Sequence, residues 1–221
     1  MNKNSALSIA FMAIMTILLL NACKPTDKKI EPNTGGNESI SETADTTKDN
    51  VVYDKSFTTR NGERVMQMEV KVNGTIDDVW RMFTTSSELQ TFMAPVIDVD
   101  FKMGGKWEAS YDPAAKLGST ENIINEIILY VPYEMYAIKC VRPPTGFAND
   151  EVIKSMYSTM QFEKSGNNKV KIVFKGFGWK NKEEFNKLWE PSLMANRCVL
   201  EWFVMRQQKG PLNWAEALRK M

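Results

Sequence analysis

The chain has 221 residues, of which 28 are basic and 27 are acidic, and it contains no histidine. The near-neutral balance gives no electrostatic footprint for nucleic acid, and the missing histidine removes the commonest general base and the commonest metal ligand. The three cysteines, at positions 23, 140 and 198, are too widely spaced for a zinc site or a CxxC redox pair. We therefore expect no metal, no cofactor and no nucleic-acid partner.

The N-terminus is typical of an exported protein. Lys3 precedes an apolar run at 6–20, which has the length of a signal-peptide core and is short for a membrane span. The run ends in LNAC at 20–23, which resembles a bacterial lipobox. The resemblance implies that residues 1–22 are a lipoprotein signal peptide, that cleavage precedes Cys23, and that Cys23 is lipidated. An ordinary secretory peptide or an N-terminal membrane helix remains the alternative.

A lipidated cysteine implies that the domain is held at the bacterial cell envelope. Several acyl chains would anchor it firmly, since each buried methylene contributes about 0.8 kcal/mol. Lys24 follows the cysteine in place of an aspartate, which favours the outer membrane and leaves the membrane face open. Residues 23–50 are mostly polar, charged or glycine, so they cannot bury enough apolar surface to offset the entropy of ordering. They are predicted to be a disordered tether.

Residues 51–221 are predicted to form one domain that begins with strands and two short helices. Residues 51–57 are predicted as a short edge strand, and the Asn-Gly pair at 61–62 indicates a hairpin turn. Apolar and polar residues then alternate over 65–72, which is typical of a strand with one buried face. Thr75 can cap a helix that runs to Phe83. A second short helix before Pro95 carries Leu89, Phe92 and Met93.

After these helices apolar and polar residues again alternate with a period of two, in about six segments that are predicted as strands connected by hairpins. The last predicted element is a long helix over 181–209. Acidic residues in its first turn and basic residues in its last turn suit the helix dipole. Pro191 lies inside it and predicts a kink or a break. The order predicts an α+β fold, in which a curved antiparallel sheet of about six or seven strands wraps around the long C-terminal helix.

Four stretches resemble the START-like (SRPBCC) superfamily, and within it the branch named after the activator of Hsp90 ATPase homologue. They are DVWRMFTT at 78–85, DFKMGGKW at 100–107, NEI at 125–127 and PYEM at 132–135. The resemblance covers about residues 65–209 and implies a helix-grip fold, whose sheet and helix enclose a mostly apolar cavity. Members bind lipids, sterols or polyketides, or act as cyclases and hydrolases. Hsp90 activation is not expected of an exported protein, because export separates it from ATP and the chaperone.

Candidate cavity residues are the apolar and aromatic side chains predicted on the inner strand faces and on the concave face of the helix. They are Phe83, Val99, Phe101, Trp107, Tyr111, Ile127, Tyr136, Ile138, Met160, Phe162, Phe174, Trp189 and Leu193. Each of them either lines a ligand cavity or fills a solid core. Tyr111 and Tyr136 carry a hydroxyl, which either orients a ligand carbonyl or reaches the rim.

Cys140 and Cys198 leave two alternatives open. Export would place them in an oxidising compartment, where a disulfide between the inner sheet face and the helix is conceivable. The other alternative is that both are thiols that pack as small hydrophobic side chains.

Three functions are compatible with these patterns. The first is a membrane-anchored, monomeric START-like domain that binds a small apolar lipid-, sterol- or polyketide-like ligand without catalysis. The second is a cyclase or hydrolase that uses the same cavity, although no catalytic residue can be assigned from the sequence. The third is an envelope interaction domain with a filled cavity.

Overall fold

The computed structural model of the chain describes residues 47–143 and 150–220. The strands within these ranges are β1 (Tyr53–Asp54), β2 (Phe57–Thr58), β3 (Arg64–Asn73), β4 (Val96–Val99), β5 (Lys106–Ser110), β6 (Ile123–Val131), β7 (Met135–Arg142), β8 (Tyr157–Lys164) and β9 (Lys169–Trp179). The helices are α1 (Ile76–Thr84), α2 (Ser86–Leu89), α3 (Asp150–Lys154), α4 (Glu183–Lys209) and α5 (Trp214–Ala217), followed by a 3-10 turn at Leu218–Lys220.

All of these strands belong to one sheet. Its order is β1-β3-β9-β8-β7-β6-β5-β4, and β2 also pairs with β3. Every pairing is antiparallel. From β4 to β9 each strand pairs with the next one in the chain. β3 pairs with β9, and this pairing has the longest sequence separation in the sheet.

One face of the sheet is apolar because the alternation of each strand is in phase with that of its neighbours. Met68, Phe174, Met160 and Tyr136 are register partners across β3, β9, β8 and β7. All four are buried, with at most 7 % of each side chain exposed. Helix α4 buries its own apolar residues, among them Leu200 and Phe203, in the same core.

The two short helices complete this core at one end. Thr75 caps α1, since its Oγ1 accepts a hydrogen bond from the Asp78 backbone N–H at 3.1 Å. Helix α1 contributes Phe83, whose ring centroid lies 5.1 Å from that of Phe92 and 4.6 Å from that of Phe203. Rings from α1, the segment after α2, and α4 therefore pack together.

The predicted α+β helix-grip fold is confirmed, with two corrections of detail. The sheet has nine strands instead of six or seven, in part because the predicted edge strand at 51–57 is divided into β1 and β2. Helix α4 is continuous through Pro191, so of the predicted kink or break, the break is absent. Phe185 and Leu200 are buried on either side of the proline, and this packing outweighs the loss of one backbone hydrogen bond. No helix in the described ranges is long and apolar enough to cross a membrane.

A buried polar cluster fixes the loop between β5 and β6. Glu108 is 3 % exposed, and its Oε1 accepts hydrogen bonds from the Gly118 backbone N–H and from Asn122 Nδ2, both at 2.6 Å. Its other oxygen accepts from Lys106 Nζ. Burial by itself raises the pKa of the Glu108 carboxyl, but the bonds from Lys106, Asn122 and Gly118 outweigh burial and hold the pKa below its usual value.

Substitution Glu108→Gln is expected to lower the free energy of unfolding at pH 7 by about 2 kcal/mol, because charge-assisted hydrogen bonds are lost. A lowered native pKa stabilises the fold above the unfolded-state value of about 4.5, and this contribution disappears as the pH falls through the native pKa. The difference between the two proteins should therefore shrink below about pH 4.5. Urea unfolding between pH 7 and pH 3 measures it. The exposed Glu134→Gln serves as the control, and a pH-independent difference would contradict the expectation.

Candidate ligand cavity

Two adjoining cavities lie between the inner face of the sheet and α4. The larger has a volume of about 180 Å³ and the smaller about 160 Å³. The larger is bordered mainly by β5, β6, β7, β8 and the middle of α4. The smaller is bordered by the adjoining parts of β7, β8 and β9, by α3 and by α4. The residues that border both cavities are Asn125, Ile138, Ser158, Phe174 and Asn196.

The wall of the larger cavity is mainly apolar, whereas the wall of the smaller cavity mixes apolar residues with uncharged polar groups. Three of the shared residues are polar: Asn125, Ser158 and Asn196. Asn196 Nδ2 donates to the Ser192 carbonyl at 2.8 Å, which leaves its side-chain oxygen available. Within the described residues, no Asp, Glu, Lys or Arg borders either cavity, and no group of His, Cys, Asp or Glu could hold a metal ion. The arrangement suits the binding of an apolar molecule.

Two tyrosines add hydroxyl groups to the wall of the larger cavity. Tyr136 is 2 % exposed, and its ring centroid lies 5.6 Å from that of Trp107 and 5.7 Å from that of Phe101. Burial raises the pKa of the Tyr136 hydroxyl far above its usual value and raises that of Tyr111 to about 12. Both hydroxyls are neutral at pH 7 and can donate a hydrogen bond.

The structure brings six of the thirteen predicted cavity residues to the larger cavity. They are Trp107, Tyr111, Tyr136, Ile138, Met160 and Phe174. Three others are buried in the packed core and border neither cavity: Phe83, Ile127 and Phe162. Phe83 packs on Phe92 and Phe203, and this contact explains why it fills the core.

The remaining four predicted residues lie at the edges of the core. Val99, Phe101, Trp189 and Leu193 are partly buried and border neither cavity. Phe101 follows the end of β4, because the chain turns there through an Asp100 N–H bond to the Lys106 carbonyl at 2.9 Å. Trp189 packs edge-on against Trp179, with a centroid distance of 5.0 Å, and the Arg64 guanidinium lies over its ring.

The polar wall residues were not predicted, although the sequence holds a signal for them. Asn125 has the same alternation as Ile123 and Ile127, and Ile123 and Asn125 both border the larger cavity. Asn196 lies three residues after Leu193 and four before Leu200, on one stripe of α4. The signal for a polar wall residue is therefore a polar side chain at a position where the period of the strand or helix predicts an apolar one.

Cys140 and Cys198 are both thiols in the structure, so the disulfide alternative is not formed. Cys140 borders the smaller cavity beside Ile153 and Met156, whereas Cys198 lies on α4 near Tyr111. The two side chains thus occupy different surroundings. Burial raises the pKa of the Cys140 thiol to about 11, so the thiol is neutral at pH 7 and adds no charge to the wall. Cys23 lies outside the described residues.

Residues 73–195, more than half of the chain, match the family described as Activator of Hsp90 ATPase homolog 1-like protein. The chain belongs to this family. The match contains all four stretches on which the START-like resemblance depends, and that resemblance is confirmed for the domain. The family match also covers β4 to β9 and the first half of α4, which together form most of the cavity wall. No curated protein matches the chain.

Solved structures show the same fold at low sequence identity. A protein from Mesorhizobium loti has a TM-score of 0.52 and 12 % identity, and the match covers 67 % of this chain and 100 % of that chain. A protein from Mycobacterium smegmatis has a TM-score of 0.50 and 10 % identity over 72 % of this chain and 98 % of the other. CalU16 from Micromonospora echinospora has a TM-score of 0.46 and 14 % identity, over 77 % and 89 % of the two chains. At these identities the likeness to the first two structures shows the fold alone, and the TM-score of CalU16 is too low to support that conclusion.

Proposed function

We propose that this member of the Activator of Hsp90 ATPase homolog 1-like family binds a small apolar ligand between its sheet and α4, while Cys23 anchors it by lipid to the bacterial cell envelope. The adjoining cavities carry the first part of the proposal. A solid core would support the envelope interaction domain instead, and the cavities make that alternative less favourable. The domain acts as a monomer whose partners are the ligand and, through its acyl chains, the outer membrane.

Binding without catalysis fits the cavity chemistry better than a cyclase or hydrolase. The polar groups at the wall are amides, hydroxyls and a thiol, and burial keeps the pKa values of Tyr111, Tyr136 and Cys140 well above neutrality. A general base works best when its pKa lies near the operating pH. None of these groups meets that condition, whereas each can contact a bound molecule.

The anchoring part of the proposal depends on the N-terminal sequence. The apolar run at 6–20 and the LNAC at 20–23 support export and lipidation, and the polar residues between Cys23 and the described domain provide a tether. The described chain starts at Thr47, and the Asn50 N–H donates to the Lys71 carbonyl of β3 at 2.7 Å, on the side of β3 where the edge strand β1 pairs. The tether would therefore join the domain at this edge, away from β5 and β6, which border the larger cavity.

Native mass spectrometry of the full chain, purified from a bacterial host and followed by lipid extraction, tests both parts separately. A chain that starts at Cys23 and carries the mass of attached acyl groups is expected, together with a stoichiometric small molecule that dissociates on denaturation. The variant Cys23→Ser should lose the covalent mass and keep the small molecule. An apo protein that shows no thermal shift with a panel of lipids and sterols would contradict binding, and an unmodified N-terminus would contradict anchoring.

A further inference from the structure

The cavity walls decide which charge a ligand can carry. No acidic or basic side chain borders either cavity within the described residues. The charged groups that act on the Cys140 thiol are Asp150 and Lys154, and these two form an ion pair with each other at 2.9 Å. An ionised carboxylate or ammonium that enters such a site loses its hydration and gains no opposite charge. An ionised ligand is therefore disfavoured.

The cavity volumes limit the size of the ligand. The two cavities measure about 180 and 160 Å³, and an apolar cavity of about 150 Å³ in another protein is known to hold benzene. Each cavity therefore takes a group of about one ring, with Phe174 and Ile138 at the border between them. The aromatic wall of the larger cavity, formed by Trp107 and Tyr136, suits a flat ring.

The Tyr136 hydroxyl is a hydrogen-bond donor in the wall of the larger cavity. Tyr136 is 2 % exposed and borders the larger cavity, and its hydroxyl makes no hydrogen bond to any described residue. An acceptor on a ligand would give this hydroxyl a hydrogen bond inside an apolar site, where such a bond is stronger than in water. The ring is held among Trp80, Trp107 and Phe162, so the direction of the hydroxyl is fixed before any ligand binds.

We infer that the site selects an uncharged molecule of about one to two rings that bears a hydrogen-bond acceptor, with the Tyr136 hydroxyl as the donor to that acceptor. The inference rests on the proposed function and deepens it, because it names the class of ligand that the cavity accepts. Asn125, Ser158 and Asn196 at the border of the two cavities provide the further polar contacts. A ketone, an amide or an ester on a flat ring satisfies all of these conditions, whereas a carboxylate of the same shape does not.

Three probes of similar shape test the inference by calorimetry on the full chain at pH 7. They are 2-naphthamide, which is neutral with an acceptor, 2-naphthoate, which is its ionised counterpart, and naphthalene, which has no polar group. The amide is expected to bind at least about 10-fold more tightly than the carboxylate, because only the carboxylate must leave water as an ion. Equal affinity for amide and carboxylate would overturn the inference and leave apolar binding intact.

Substitution Tyr136→Phe then tests the donor, since it removes the hydroxyl and keeps the ring. Affinity for 2-naphthamide is expected to fall about 5- to 10-fold, and affinity for naphthalene to stay within about 2-fold. The matched control is Tyr130→Phe, because Tyr130 is the register partner of Tyr136 and borders neither cavity. Equal losses for both probes would assign Tyr136 a packing role only and overturn the inference. Failure of all three probes to bind the unmodified protein would overturn the proposed function as well.

Discussion

Substitution Gly105→Ala is expected to lower the free energy of unfolding by about 3 kcal/mol or more. A Cβ at this position would lie 1.9 Å from the Asp100 carbonyl oxygen and 2.8 Å from that of Lys102. Both atoms belong to the backbone of a tight turn, in which the Gly105 N–H donates to the Lys102 carbonyl at 2.8 Å. The Gly105 carbonyl also accepts from the Ile127 N–H at 3.0 Å, so the turn cannot move away without breaking its contact with β6.

Gly104→Ala is the matched control for this prediction. Gly104 has a φ of +70°, which strains an alanine, but an added Cβ meets no atom within 4 Å. The expected loss is about 1 kcal/mol, the cost of a left-handed alanine. Chemical denaturation of both variants measures the difference. A loss for Gly105→Ala no larger than that for Gly104→Ala would show that the turn relaxes, and would contradict the close approach seen in the structure.

The general architecture could be predicted because the signals that specify it are local. Alternation over 65–72 specifies the buried face of β3, and the glycine pair at 104–105 specifies the turn before β5. The helical stripe around Phe203 specifies α4. Each of these patterns repeats within a few residues, and the tertiary contacts favour the same local structure that the pattern predicts. Pro191 is the exception, since the local rule predicts a break and the packing on both sides keeps the helix intact.

The cavity could be predicted only in part, because alternation gives the face of a residue and not its distance from the opposite layer. Tyr136 and Phe162 both point inward from neighbouring strands, yet only Tyr136 borders a cavity. Phe162 packs against Trp80 and Phe83 of α1, whose position over the sheet cannot be obtained from periodicity. Asn125 lies outside the predicted wall for another reason: it has the period of the apolar wall residues but a polar side chain, which by itself does not indicate an apolar cavity.

Outside the turn at Gly104 and Gly105, a substitution at the centre of the aromatic core should cause the largest loss in the free energy of unfolding. Substitution Phe203→Ala is expected to lower the free energy of unfolding by about 3–5 kcal/mol, the range for a buried phenylalanine. Phe203 is fully buried and lies 4.6 Å from the Phe83 centroid and 5.0 Å from that of Phe92. Its removal leaves a void among α1, the residues after α2, and α4. The sheet and the other core residues hold these three segments in place, so they cannot all collapse into the void.

The burial of the Phe203 side chain, and not its location in α4, should determine this loss in the free energy of unfolding. Met205 lies two residues further along the helix and is 37 % exposed, so Met205→Ala is expected to change the free energy of unfolding by no more than about 0.5 kcal/mol. Phe203→Leu fills part of the void and should fall between the two. Urea unfolding gives all three values. Equal losses for the two alanine variants would mean that helix propensity outweighs packing at α4. The expected result, a larger loss for Phe203→Ala than for Met205→Ala, means that α4 is held mainly by its buried face. The same face borders the ligand cavities.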